Sequence, residues 1–300
     1  MIQQGAGQIA DIAAPRPAAY SCNALRDTSR TQSFAQPVDS ERAHLAKIQS
    51  ALPEALAARE LTLAWQPLVD RATGNTVCAE ALLRWTQRDL GAIPPMQFVP
   101  IAEQTGLIEP IGDWVLEQAC AQAAQWRMHT ANDFCIAVNV SPLQLNRRFV
   151  RKVARALELS GLAPSALELE LTESRWVPDS PAVVSAITAI TNFGVKVVID
   201  DFGTGYSSLS YLRRLHLHGL KIDRSFVMGL PYDGRSAAIV VGLAKLARSM
   251  QLTVTAEGVE TNEQAAFLRE CEIDRMQGFL FSRPLEPGVF IDGYCQQKRN

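Results

Sequence analysis

Asp200 and Asp201 stand side by side where the apolar run Val195-Lys196-Val197-Val198-Ile199 gives way to Phe202-Gly203-Thr204-Gly205. A β-favouring run that ends abruptly in acid and glycine reads as a buried strand delivering carboxylates at its C-terminal end. The same event recurs along the chain. Residues 77–79 lead into Glu80, 135–138 into Asn139, 167–169 into Glu170, Leu220 into Lys221 and 252–256 into Glu257, and Gln277 joins the set. Buried carboxylates without partners are costly, so such a cluster requires cations, hydrogen bonds or water. Oxygen donors dominate and sulfur is absent, which selects a hard divalent ion, Mg2+ or Mn2+, over zinc. One or two such ions, about 3.5–4 Å apart, polarise phosphoryl oxygens and activate water, which is what hydrolysis of an anionic phosphodiester needs. On this reading Glu80, Asn139, Glu170 and Asp200 hold one ion, and Asp200 bridges to a second that Asp201 also holds. Lys221 fixes the attacking water or offsets phosphate charge, and Glu257 takes a proton or completes the coordination.

Polar groups arriving at one end of many successive strands are positioned by a parallel α/β barrel. Eight candidate strands fall at 61–67, 77–85, 135–140, 167–172, 195–200, 219–222, 252–257 and 276–281. Helical patterns at 95–104, 111–128, 142–159, 181–192, 234–250 and 262–270 stand between strand-like runs, the βα pattern. The connection at 70–75 is too short for a parallel crossover, so the first two strands are expected to form an antiparallel hairpin. The fold class is therefore α/β, a modified (β/α)8 TIM-like barrel with an antiparallel first strand, spanning 61–300. Residues 1–40, rich in Ala, Gln, Ser, Gly and Pro, read as a flexible tail or linker. A lead helix is expected over 41–60, kinked or divided at Pro53.

Bulk properties narrow the class. A 300-residue chain that is 47% hydrophobic accommodates a barrel of roughly 250 residues plus an extension. Its 29 basic and 31 acidic residues leave a net charge of −2, which argues against a broad basic face and against binding long nucleic acid. Cys22, Cys78, Cys120, Cys135, Cys271 and Cys295 show neither zinc nor redox spacing and read as small hydrophobes in a reducing compartment. No signal-peptide pattern or apolar stretch of about 20 residues is present, so a cytoplasmic location without membrane insertion is expected. His216 and His218, close to Lys221 in sequence, read as surface imidazoles.

The runs Ala79-Glu80-Ala81-Leu82-Leu83-Arg84-Trp85, Glu170-Leu171-Thr172-Glu173-Ser174 and Asp200-Asp201-Phe202-Gly203-Thr204-Gly205-Tyr206-Ser207-Ser208-Leu209 resemble the EAL domain family. So do Leu220-Lys221-Ile222-Asp223-Arg224-Ser225-Phe226, Ala256-Glu257-Gly258-Val259-Glu260-Thr261 and Gln277-Gly278-Phe279-Leu280-Phe281-Ser282-Arg283-Pro284-Leu285. The resemblance covers about residues 61 to 290. It implies a bacterial phosphodiesterase that opens cyclic di-GMP to linear pGpG with Mg2+ or Mn2+, two ions per site, in a homodimer. Carried over by motif, Glu80, Asn139, Glu170, Asp200 and Asp201 are the metal ligands. Lys221, Glu257 and Glu173, the last bracing the loop after the double aspartate, are the catalytic group. Gln66, Leu82, Arg84, Gln277, Phe279 and Glu260 are the substrate-binding group. Arg84 would offer a forked, charged hydrogen bond to phosphate. Phe279, alternating with Phe281 along the last strand, would face a guanine. The loop 202–209 is linked with the second metal and with dimer contacts, and Gly203 and Gly205 suit its turn.

One departure is visible. Leu215-His216-Leu217-His218-Gly219 replaces the family's usual lead into the lysine motif, and His218 falls where aspartate is common. The alternative reading is a catalytically silent cyclic di-GMP receptor or interaction module. Such members usually lack a glutamate, the double aspartate or the lysine, and none is missing here. No GGDEF, PAS or receiver domain is expected ahead of the barrel, so the expectation is either a stand-alone enzyme with a short tail or regulation supplied by another chain.

Overall fold

Leu167, Leu169 and Leu171 alternate with Glu168, Glu170 and Thr172, and successive strand residues face opposite sides of a sheet. One face must therefore pack on helices while the other turns charged groups towards the barrel axis. The computed structural model describes residues 36–127, 134–172, 180–203 and 209–295. The three leucines are 0–1% exposed and belong to the main apolar cluster.

Nine strands are present among the described residues: β1 (Leu61–Asp70), β2 (Thr76–Gln87), β3 (Gly91–Ile93), β4 (Cys135–Val140), β5 (Leu167–Thr172), β6 (Lys196–Phe202), β7 (Gly219–Ile222), β8 (Thr253–Ala256) and β9 (Arg275–Met276). The order β1-β9-β8-β7-β6-β5-β4-β2 closes on itself through β1–β2, making an eight-stranded barrel with β3 as a flap on β2. β1 runs antiparallel to both β2 and β9, and the other barrel pairs are parallel. The expected antiparallel first strand is thus present. Helices Ile108–Arg127, Arg147–Ser160, Pro181–Asn192, Gly234–Ser249 and Asn262–Glu270 accompany the strands. No helix among the described residues is long and apolar enough to cross a membrane.

Several expectations change. The strand expected at 276–281 ends at Met276. A Cβ at Gly278 would lie 2.1 Å from the Val259 carbonyl oxygen, so the chain hugs the neighbouring loop. Phe281 and Ser282 then donate to the Gly278 carbonyl and close a turn. Phe279 and Phe281 consequently do not alternate on a strand. β3 was not expected; it follows a turn in which the Gln87 side chain accepts from the backbone of Asp89 and Leu90. The helix expected over 142–159 splits into a short turn at Pro142–Gln144 and a helix starting at Arg147. Asn146 caps that helix by accepting from Arg148 and Phe149. The lead helix spans Gln36–Ala51, and a 3-10 turn at Leu52–Glu54 takes over at the proline. The tail expected over residues 1–40 lies outside the described residues as far as residue 35.

Candidate active site

Two adjacent strand residues cannot ordinarily face the same side. β6 resolves this by an irregularity between Ile199 and Phe202 in its pairing with β7, with Asp201 at φ 55° in the left-handed region. Aspartate tolerates that region better than most residues. Asp200 and Asp201 therefore both line a cavity of about 740 Å3 at the C-terminal mouth of the barrel. Glu80 from β2, Asn139 from β4, and Glu257 and Gln277 just beyond β8 and β9 line it too.

Lys221, only 1% exposed, rises from β7 into the middle of the acids. Its Nζ lies 2.6 Å from Glu257 Oε1, 2.9 Å from Glu170 Oε2, and 3.5 Å from both Glu80 Oε2 and Asp200 Oδ1. Burial disfavours the ammonium, but these four carboxylates outweigh it and hold the lysine charged, its pKa well above the ordinary value. A single ammonium cannot satisfy them all. Burial, with Asp200 and Glu80 adding to it, pushes Glu257 up to about 8. Burial and the neighbouring acids Asp200 and Asp223 push Asp201 up to about 6. Glu170 and Asp200 are raised by burial first and by other carboxylates next.

Glu80 goes the other way. Burial raises its pKa, but Lys221 and the amides of Gln277 and Asn139 prevail and hold it below the usual range. Asn139 Nδ2 donates to Oε1 at 2.6 Å and Gln277 Nε2 to Oε2 at 2.5 Å. Gln277 Nε2 also donates to Gln66 Oε1 at 3.0 Å, and Gln66 Nε2 to the Ser282 carbonyl at 3.0 Å. Gln66 is thus part of a buried chain that orients Glu80.

The donor set fits a hard cation. Glu170 Oε1 is buried without a hydrogen-bond partner, and carboxylate oxygens of Asp200, Asp201 and Glu257 lie within 4.8 Å of one another. Carboxyls with raised pKa values carry protons that a cation must displace. Mn2+ affinity is therefore expected to rise with pH between the values for Asp201, about 6, and Glu257, about 8, with measurable proton release. Calorimetric titration in two buffers of different ionisation enthalpy checks this, and pH-independent affinity would contradict it. The metal-free protein, by the same linkage, loses stability as pH rises from the ordinary carboxylate range through these raised values.

The remaining residues expected at the site fall as follows. Leu82, Arg84, Glu260 and Phe279 all line the cavity. Arg84 is half-buried and donates to its neighbour's carbonyl, Leu83 O, at 2.9 Å. Phe279 is 45% exposed, with the Arg283 guanidinium 4.2 Å above its ring. Glu173 and residues 204–208 lie outside the described residues. His216 and His218 sit below β7, at the opposite mouth from the carboxylates.

Two features escaped the sequence reading. Met96, Val99, Pro100 and Glu103 form one face of the helix Pro95–Thr105 and wall the cavity, while Phe98 and Ala102 bury the other face. The 3–4 residue spacing was the available signal. Arg224 also lines the cavity, paired with Glu260 at 3.0 Å. It fills the space above Gly258, where a Cβ would lie 2.3 Å from Arg224 Cγ.

A second group of metal-type ligands lies below. Cys78 and Cys135 are paired across β2 and β4, with their Sγ atoms and a Glu168 oxygen within 4.8 Å. A cation there would need ionised thiols beside Arg275, and burial pushes the Cys78 thiol well up. With Leu68 and Ala137 these cysteines form a small apolar cluster, as small hydrophobes do.

The profile of the EAL domain family matches residues 49–284. The bifunctional diguanylate cyclase/cyclic di-GMP phosphodiesterase MucR of Pseudomonas aeruginosa is 46% identical over 235 residues, 78% of this chain and 34% of that protein. Cyclic di-GMP phosphodiesterase NbdA of the same organism is 41% identical over 240 residues, 80% of this chain and 31% of that protein. The chain thus spans about a third of the length of the curated relatives it matches. Among solved structures, the PaMucR phosphodiesterase in complex with c-di-GMP superposes with a TM-score of 0.77 at 44% identity, covering 81% of this chain and 99% of that one.

Proposed function

The chain belongs to the EAL domain family, and from that premise we propose that it is a divalent-metal-dependent phosphodiesterase that opens cyclic di-GMP to linear pGpG. The observation that carries the reading is the complete acidic set around Lys221, with the buried oxygen of Glu170 left unpartnered. Glu80, Asn139, Glu170, Asp200 and Asp201 would hold Mg2+ or Mn2+. Bound there, the ions would supply Lewis acidity towards the phosphoryl oxygens and the attacking water.

The chain's own residues do the rest. Lys221 keeps a positive charge at the base of the site, where it offsets charge growing on the phosphoryl group. Glu257, its carboxylate 2.6 Å from the Lys221 ammonium, accepts a proton from the attacking water and passes one to the leaving oxygen. Gln277 and Gln66 lock the Glu80 carboxylate in one orientation. Arg84 and Arg224 face the diester from two walls of the cavity, and the apolar face at Met96 and Val99 gives a base somewhere to lie. Glu260 acts through Arg224. That pair is 52% and 41% exposed, so it contributes little on its own and the arginine is free to turn to phosphate.

Arg224→Ala is expected to raise KM about tenfold with a smaller change in kcat, because it removes a charge-assisted contact shared by ground and transition states. Steady-state kinetics check this, and an unchanged KM removes Arg224 from the site. The reaction itself is tested in water enriched in 18O. Formation of pGpG carrying the label in its new terminal phosphate is expected. Cyclic di-GMP recovered intact with metal present would overturn the proposal.

A further inference from the structure

At the mouth opposite the carboxylates lies a second cavity, of about 390 Å3, bordered by Glu168, Lys196, His216, His218, Thr253 and Arg275. It is built from the strand starts: β5 brings Glu168, β6 Lys196, β8 Thr253 and β9 Arg275, while the two histidines lead into β7. Nothing in the phosphodiester chemistry uses this end of the barrel.

The cavity is richer in hydrogen-bond donors than in acceptors. Lys196 forms no ion pair among the described residues. Arg275 gives Nη1 to both oxygens of Glu168, at 3.2 and 3.1 Å, which leaves its Nη2 and Nε donors uncommitted. His218 Nδ1 accepts from the Val197 backbone N–H at 3.2 Å, so the neutral ring carries its proton on Nε2 as a further donor. His216 stands beside it with ring centroids 6.0 Å apart. Glu168, the one carboxylate among the described residues at this cavity, is already taken by Arg275. With both histidines neutral, the two cations exceed the single anion by one, and protonation only increases the excess. Burial holds the His218 pKa down, and the nearby His216 and Lys196 add to that effect. Gln251 and Thr253 add groups that both donate and accept, and the excess of cationic and N–H donors from different elements suits a tetrahedral oxyanion better than a cation.

We propose that this cavity binds a phosphate group, as free phosphate or as a phosphomonoester on a small molecule, with Lys196, His218 and Arg275 as its donors. The volume falls within the usual range for small-ligand sites of about 300–1,000 Å3 and leaves room for a sugar behind the phosphate. This inference does not depend on the activity proposed above, because the two mouths share no side chain.

The test is calorimetric titration of the EDTA-treated protein with inorganic phosphate and, separately, with ribose 5-phosphate, at constant ionic strength with chloride as the control anion. The wild type and Lys245→Met, a control on an exposed lysine elsewhere, are expected to bind alike. Lys196→Met should weaken binding about tenfold or more, the loss typical of one charge-assisted contact. The tighter of the two probes identifies the source of the phosphate. Binding of neither probe, or equal binding by Lys196→Met, would overturn the proposal. Cyclic di-GMP hydrolysis by Lys196→Met should match the wild type in the absence of phosphate. Parallel loss of hydrolysis and phosphate binding would place the phosphate in the main cavity and sink the second site.

Discussion

Glu80→Ala is expected to lower cyclic di-GMP turnover by about 10²–10³-fold or more, the scale on which preorganised electrostatic groups act, while leaving the barrel folded. Glu80 is the one carboxylate in the cluster whose pKa is held down, by Lys221 and the Gln277 and Asn139 amides, after opposing its own burial. It is therefore the most firmly ionised oxygen ligand available to a cation. Its removal leaves little damage elsewhere. Gln277 Nε2 keeps Gln66, Lys221 keeps Glu257 and Glu170, and Asn139 is exposed enough to take water. The stability change is expected to stay within about 1–2 kcal/mol, the scale of a few altered hydrogen bonds. Turnover at the wild-type rate, with unfolding curves also unchanged, would remove Glu80 from the metal site.

The second large effect is on stability. Lys221→Met takes the ammonium from among Glu80, Glu170, Asp200 and Glu257 and leaves four acids facing one another, three of them buried and Glu257 partly so. Removing one partner from a buried charge cluster costs about 3–5 kcal/mol. The cost depends on pH in a definite direction. Low pH protonates the acids and relieves the repulsion, so the metal-free variant should approach wild-type stability near pH 5 and fall furthest below it near pH 8. Mn2+ should restore part of the loss by binding the native state, whereas turnover should remain low because the fixed charge beside the phosphoryl group is gone. Thermal melts at both pH values with and without Mn2+ check this. A metal-free variant as stable as the wild type at pH 8 would show that the acids do not depend on Lys221.

Much of the site was legible because its charged residues interrupt apolar, strand-like runs. Glu80, Glu170, Asp200 and Lys221 each do so in the middle or at the end of a strand, and strand alternation aims them at the axis. Other features depend on partners far apart in the chain. Glu168 and Arg275 are 107 residues apart, and nothing local to either marks the other. Cys78 and Cys135 meet only because β2 and β4 are neighbours in the closed sheet. The run at 277–281 misled because its apolar residues look strand-like, whereas Gly278 turns the chain against the Val259 backbone. That turn leaves Gln277 free to bond Glu80. The irregularity that lets Asp200 and Asp201 share a face was likewise hidden, since a plain strand would have turned one of them away. Arg224 lay within a motif that was visible, and its place above Gly258 shows only in three dimensions.

The most direct test is a titration of chelator-treated protein, preloaded with stoichiometric cyclic di-GMP, with Mn2+, following the nucleotide by chromatography. The expected result is no pGpG before metal is added, product growing with each addition, and a return to zero rate with excess EDTA. Cyclic di-GMP that stays bound and intact at saturating Mn2+ would contradict the hydrolytic reading and leave the protein a receptor. Product formed at full rate in EDTA would contradict the metal-dependent one.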